Sequence, residues 1–204
     1  MRLSQAPAKL MPSLTSREAV AVQEKPLAEV LVEGELSPFE HEVLYRILRK
    51  GFRLEHPSYT ELLDEDLATR VNITFHYPYV TTVFTDVLRE NWRELKELLR
   101  QVRYRRGKAG AAVTLSFLGE KNKLVFKSGV LEEKELSSAL DQIGHLTGIL
   151  GQMLRPETMD KPLELVEAVY DKKSDRWHEF KGFASADQNQ SYVFDESVFR
   201  WIRL

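Results

Sequence analysis

The sequence predicts an α+β fold: N-terminal helices, a central long helix with a β-hairpin and a second long helix, then C-terminal antiparallel strands. Three observations predict it. Apolar residues recur every three to four positions over 38–50, 80–102 and 132–154, the period of an amphipathic helix. They alternate one by one over RVNITFHY, AAVTLSFL, KLVFKS and WHEFKGF, the period of a half-buried strand. The composition, 43% hydrophobic and 29% charged over 204 residues, is that of a chain able to bury a core.

The N-terminal stretch MRLSQAPAKLMPSLTSR carries Arg2, Lys9 and Arg17 but no acid, as transit peptides do. Pro7 and Pro12 would break the helix such a peptide needs, so residues 1–26 read as a flexible tail. In LSPFEHEVLYRILRKGF, Ser37 caps a helix, Pro38 suits its first position and Glu40 closes a capping box. Val43, Leu44, Ile47 and Leu48 supply its apolar face, and Gly51 is expected to stop it in the left-handed region. FRLE follows as a short strand. A second capping box, Ser58 with Glu61, opens a helix over 59–69 with an acidic run from Asp64 to Asp66. Val71, Ile73, Phe75 and Tyr77 then alternate as a strand.

From Pro78 the period becomes helical. Val80, Val83, Phe84, Val87, Leu88, Trp92, Leu95, Leu99 and Val102 mark one face, while acids and bases share the other at pairing distance. AAVTLSFL and KLVFKS flank GEKN as a β-hairpin. A helix from Glu132 to Leu154 follows, with Leu136, Leu140, Ile143 and Leu150 as its core face. Ser137, Gly144, Gly148 and Gly151 form a stripe of small residues beside it. Each helical glycine costs about 1 kcal/mol relative to alanine, so the stripe suggests that another backbone comes close, from the chain's own sheet or from a second copy. Gly144, Gly148 and Gly151 are the candidate interface residues. RPETMDKP reads as a linker that divides a main domain, 27–155, from a C-terminal β-rich segment, 156–204, packed on it. A second hairpin turns at DKKSDR. SYVFDESVFRWIRL reads as a last strand whose end also fits a helical period.

The absence of cysteine removes disulfides, thiolate metal sites and cysteine nucleophiles, and a cytoplasmic location is expected. No apolar run reaches the ~20 residues of a membrane span. No nucleophile elbow, phosphate loop or dinucleotide fingerprint occurs, so the expectation is a non-enzymatic protein without cofactor. Asp141 and His145, four apart on one helix, are the nearest approach to a metal pair, and a surface hydrogen bond explains them better.

Charge is the remaining signal. Residues 89–127 carry eleven Lys/Arg and four Asp/Glu, a local +7, so the rest sums to −9 in a chain of net −2. Arg100, Arg103, Arg105, Arg106 and Lys108, with Tyr104 to stack on a base, are the candidate nucleic-acid-binding residues. The expected order of elements over 37–128 resembles a winged helix, although Tyr79, Thr81, Thr82 and Thr85 occupy the face where base-reading Arg, Asn or Gln would stand. The expected function is binding of a nucleic-acid backbone. The alternative is a protein-interaction or assembly factor that forms a homodimer or docks an acidic protein surface. That alternative rests on the glycine stripe and on Trp177, Phe180, Phe183, Tyr192, Phe194, Phe199 and Trp201.

Overall fold

Alternation gives each strand one apolar row, and nine such strands share one mixed sheet. The computed structural model describes residues 24–34, 36–55, 68–103, 110–184 and 190–204. In chain order the elements are β1 (Leu27–Glu33), α1 (Pro38–Gly51), β2 (Arg53–Glu55), β3 (Arg70–Phe75), a π-helical turn (Val83–Leu88) and α2 (Glu90–Gln101). The hairpin β4 (Gly110–Leu118) and β5 (Lys123–Glu132) follows, then α3 (Glu133–His145), α4 (Thr147–Met153) and a 3-10 turn (Pro156–Thr158). β6 (Leu165–Asp171), β7 (Arg176–Phe183), β8 (Ser191–Asp195) and β9 (Arg200–Arg203) complete the chain. The sheet order is β2-β1-β3-β4-β5-β6-β7-β8-β9. The fold is α+β, as the sequence predicts.

Three parallel strand pairs, β1 with β2, β3 with β4 and β5 with β6, are each joined through helix, because a parallel pair needs a crossover. α1 packs on α2 and α2 on α3, so the three lie side by side on one face of the sheet. Val30, Ile73, Leu115, Phe126, Ala168, Trp177 and Trp201 point into that layer and are buried. Aromatic rings link it across the strands: Phe52 to Phe75 at 5.0 Å, Phe75 to Phe117 at 5.1 Å and Phe126 to Trp177 at 5.2 Å between centroids. The β5–β6 ladder crosses position 156, so one sheet and one core run through both segments named from the sequence.

The local chemistry at α1 is the expected one: Ser37 Oγ accepts from the Glu40 amide, and the Glu40 carboxylate accepts from the Ser37 amide. Gly51 acts differently from expectation. It closes α1 without a left-handed turn, and Phe52, in extended conformation, is the cap. A Cβ at Gly51 would stand 2.6 Å from the Val87 carbonyl oxygen, so glycine is required by the close approach of the π-helical turn.

Two of the expected helices are broken. Over 80–102 a π-helical turn precedes α2, with Arg89 between them at φ 45°, ψ −127°. The wider turn lets Val83 and Leu88, five apart, both reach the core. Over 132–154 the helix breaks at Leu146, where the Tyr79 phenol donates to the Ile143 carbonyl and competes with the helical ladder. The region after Asp195 forms a β-hairpin, not a helix. The Trp201 indole N–H donates to the Met153 carbonyl at 2.7 Å and holds the last strand against α4. A winged helix is not what forms, because β3 and β6 flank the β4–β5 hairpin and leave no free wing. The expected helix over 59–69 falls largely outside the described residues, as does residues 1–23 of the expected tail. Among the described residues no helix is long and apolar enough to cross a membrane.

Gly51→Ala tests the packing explanation. Helix propensity alone would stabilise by about 1 kcal/mol. The clash with the Val87 carbonyl is expected to outweigh it, giving a net loss of about 1–3 kcal/mol in urea unfolding.

Candidate binding surfaces

Of the basic positions, Arg100 and Arg103 lie among the described residues, and the two differ. Arg100 Nη2 lies 3.1 Å from Glu97 Oε2 and 4.0 Å from Glu133 Oε1, and Nη1 reaches Ser137 Oγ at 3.5 Å. Its Nε is buried and has no acceptor among the described residues. Arg100 therefore ties α2 to α3 and is spent on the protein's own carboxylates. The Arg103 side chain is exposed and makes no ion pair among the described residues, while its carbonyl accepts from Thr69 Oγ1 at 3.1 Å. Tyr104, Arg105, Arg106 and Lys108 lie outside the described residues.

The glycine stripe divides at the helix break. A Cβ at Gly144 would lie 3.7 Å from Trp92 Nε1, an ordinary contact within the helix layer. Gly148 and Gly151 are exposed, and nothing stands within 4 Å of where a Cβ would be. Among the described residues no backbone approaches those two. Asp141 pairs with Lys96 rather than with His145, which is exposed. No group of three His, Asp or Glu side chains among the described residues is placed to hold a metal.

The titratable groups that depart from their ordinary values are structural. Burial pushes the Tyr79 phenol far up while it donates to the Ile143 carbonyl. Burial, then the hydrogen bond to Asp175, pushes Tyr170 up to about 12. Asp171 is held low first by the Ser174 hydroxyl at 2.7 Å, Asp175 by Tyr170, and Asp195 by Ser197. All three acids stabilise turns or a strand end. Burial lowers His41, with Glu40 opposing.

The sheet offers a larger feature, because α1, α2 and α3 lie on one side. The second row of each strand forms a face that no helix among the described residues covers. Register defines it: Glu29, Thr74, Ser116, Val125, Glu167, Lys181, Val193 and Ile202 form one line across eight strands. Beside it run Leu31, Asn72, Thr114, Lys127, Val169 and His178. Leu118, Leu165 and Phe183 add apolar area at one end of the strands. Lys127 pairs with Glu167 at 2.7 Å and His76 with Glu29 at 2.6 Å within the face. A separate cleft of about 420 Å³ sits at the edge of the helix layer, with Leu154, Met159 and Leu163 beside Lys121, Asp160 and Lys161.

This face was missed in the sequence, but a signal for it exists. In LAEVLVE, and again at Leu118, Leu165, Val169 and Phe183, apolar residues occupy the phase that solvent would fill with polar ones. No family model, curated protein or solved structure significantly matches the chain.

Two outcomes follow from these positions. Gly151→Ala is expected to stabilise by about 0.5–1 kcal/mol in urea unfolding with unchanged mass in light scattering, since the new methyl meets open space. A lower mass would show a second copy packed on that stripe. In an alkaline absorbance titration, one tyrosine should ionise near 12 and be missing from Tyr170→Phe. Because the folded value is raised, the stabilisation is complete below the ordinary phenol value of 10.0 and is lost as pH rises through about 12.

Proposed function

We propose that this is a non-enzymatic binding protein whose ligand is another protein, engaged across the helix-free face of the sheet. The observation that carries this reading is the composition of the face. Leu118 and Val169 are each 38% exposed, at positions where an ordinary solvated sheet carries polar side chains. Covering apolar area of this kind stabilises a complex by about 25 cal/mol per Å² before the costs of association. Lys127 and Lys181 of the face pair with Glu167 and Glu179, and Glu29 lies on the same line, so the face is of mixed sign and not the cationic track that a phosphate backbone requires. Phe183 is the one Phe, Tyr or Trp on the strand positions of this face among the described residues, far fewer than a base-stacking platform uses.

Site-specific photo-crosslinking tests the reading. A photoreactive residue at Val169 is expected to give discrete protein adducts that Leu118→Glu diminishes, while the same residue at Arg93, exposed on α2, gives none. Adducts from position 93 equal to those from position 169 would refute it.

A nucleic-acid reading has one observation in its favour, the exposed Arg103 side chain, which has no ion pair among the described residues and stands beside the basic stretch. In that case affinity for a single-stranded oligonucleotide falls linearly on a log–log plot against salt, and Arg103→Glu flattens the slope. Binding that ignores both salt and Arg103→Glu removes this reading.

A further inference from the structure

Beyond the face, the sheet has two edges that no strand among the described residues pairs with, and they differ. β2 is only three residues long, and its Arg53 pairs with Glu24 at 3.6 Å and Glu55 at 3.8 Å. β9 carries Arg200 and Arg203, both exposed and without an ion pair or side-chain hydrogen bond among the described residues. From β9 we infer that this edge accepts an added β-strand from a partner protein, and that the added strand is acidic and extended.

The backbone supplies the first argument. The Leu204 amide donates to the Ser191 carbonyl at 2.9 Å, which sets the phase of the β8–β9 ladder. In an antiparallel pair only alternate residues bond to a given neighbour. Ile202 and Arg200 therefore face β8, and the N–H and C=O groups of Trp201 and Arg203 point away from it. No strand among the described residues pairs with them. The edge is also held firmly, since the Trp201 indole is fixed to the Met153 carbonyl.

Side chains supply the second argument. Ile202, 43% exposed, shares the helix-free face with Arg200, while Arg203 lies on the other face with Trp201, so an incoming strand meets a cation and an apolar side chain on one face and a cation on the other. Carboxylates opposite Arg200 and Arg203 would form charge-assisted hydrogen bonds, and a β-branched residue would cover Ile202. The same charges oppose self-association. β9 carries no carboxylate, so a second β9 added here would bring four guanidinium groups together with nothing on either strand to neutralise them. The occupant is an acidic strand of another protein, not a second β9.

The test uses the full chain and a blocked Val-Glu-Val-Val-Glu-Val hexapeptide, whose carboxylates are spaced as Arg200 and Arg203 are, with its Lys-for-Glu counterpart as control, followed by amide NMR. The acidic peptide is expected to shift and protect the Trp201 and Arg203 amides and to weaken as salt rises, while the basic peptide does not bind. Arg203→Pro deletes an outward N–H and leaves the ladder to β8 intact, so affinity should fall by about tenfold or more, whereas Arg203→Lys should stay within about threefold. Val169→Glu, on the sheet face, should leave this binding unchanged, which separates it from the function proposed above. If Arg203→Pro unfolds, the double change Arg200→Glu with Arg203→Glu serves instead and should exchange the acidic peptide for the basic one. Equal binding of both peptides, full binding by Arg203→Pro, or a dimer in sedimentation that Arg203→Pro dissolves would each overturn the inference.

Discussion

The β4–β5 ladder is the interaction on which the rest of the structure depends. The two strands of this hairpin are bonded to each other through a four-residue connection, and each offers its outer edge to a parallel partner, β3 on one side and β6 on the other. A parallel partner can be reached only by a crossover, so α2 and then α3 with α4 must pass over the sheet. Phe117 and Phe126, on opposite strands of the hairpin, point to that same side, and Tyr79 packs on both at 5.0 Å between centroids. The phenol of Tyr79 then reaches the Ile143 carbonyl of α3. One aromatic residue thereby links both crossovers to the hairpin that generates them.

One-sided coverage is the cost of this arrangement and the origin of the surfaces the protein offers. Because α1, α2 and α3 lie side by side over one face, the opposite face is left to its own side chains. On it Lys127 pairs with Glu167, and Leu118 and Val169 remain exposed although Val125 and Ser116 on the central strands are buried. The edges are managed unequally. β2 is shortened and its cation neutralised, whereas β9 presents guanidinium groups that prevent indiscriminate pairing and leave a strand of opposite charge as the favoured addition.

The charge segregation in the sequence has a structural origin for a good part of its length. Lys96 meets Asp141, Arg100 meets Glu97 and Glu133, and Lys50 meets Glu94 at 2.9 Å, so cations of α2 and α1 lace the helix layer together. Exposed pairs of this kind contribute at most about 1 kcal/mol each, and their effect is to fix which helix lies beside which. A count of cations along the chain cannot separate these from a ligand-binding patch, since Asp141, Glu133 and, for Lys50, Glu94 lie 33 to 45 positions from the cations they meet.

What the sequence by itself determined were the local elements whose physics is local. The Ser37–Glu40 capping box, the GEKN hairpin, the DKKSDR hairpin and the strand at Val71–Phe75 all form where alternation and capping chemistry place them, because each depends on residues within a few positions of one another. The tertiary structure alone decided the helix breaks at Arg89 and Leu146, the reason for glycine at position 51, and the neutralisation of Arg100. The last three depend on an atom distant in sequence: a phenol from Tyr79 at Leu146, a carbonyl from Val87 at Gly51, a carboxylate from Glu133 at Arg100. Sheet order belongs to the same class. A strand's period shows that it has two faces, and only the packing of its neighbours shows which face is covered.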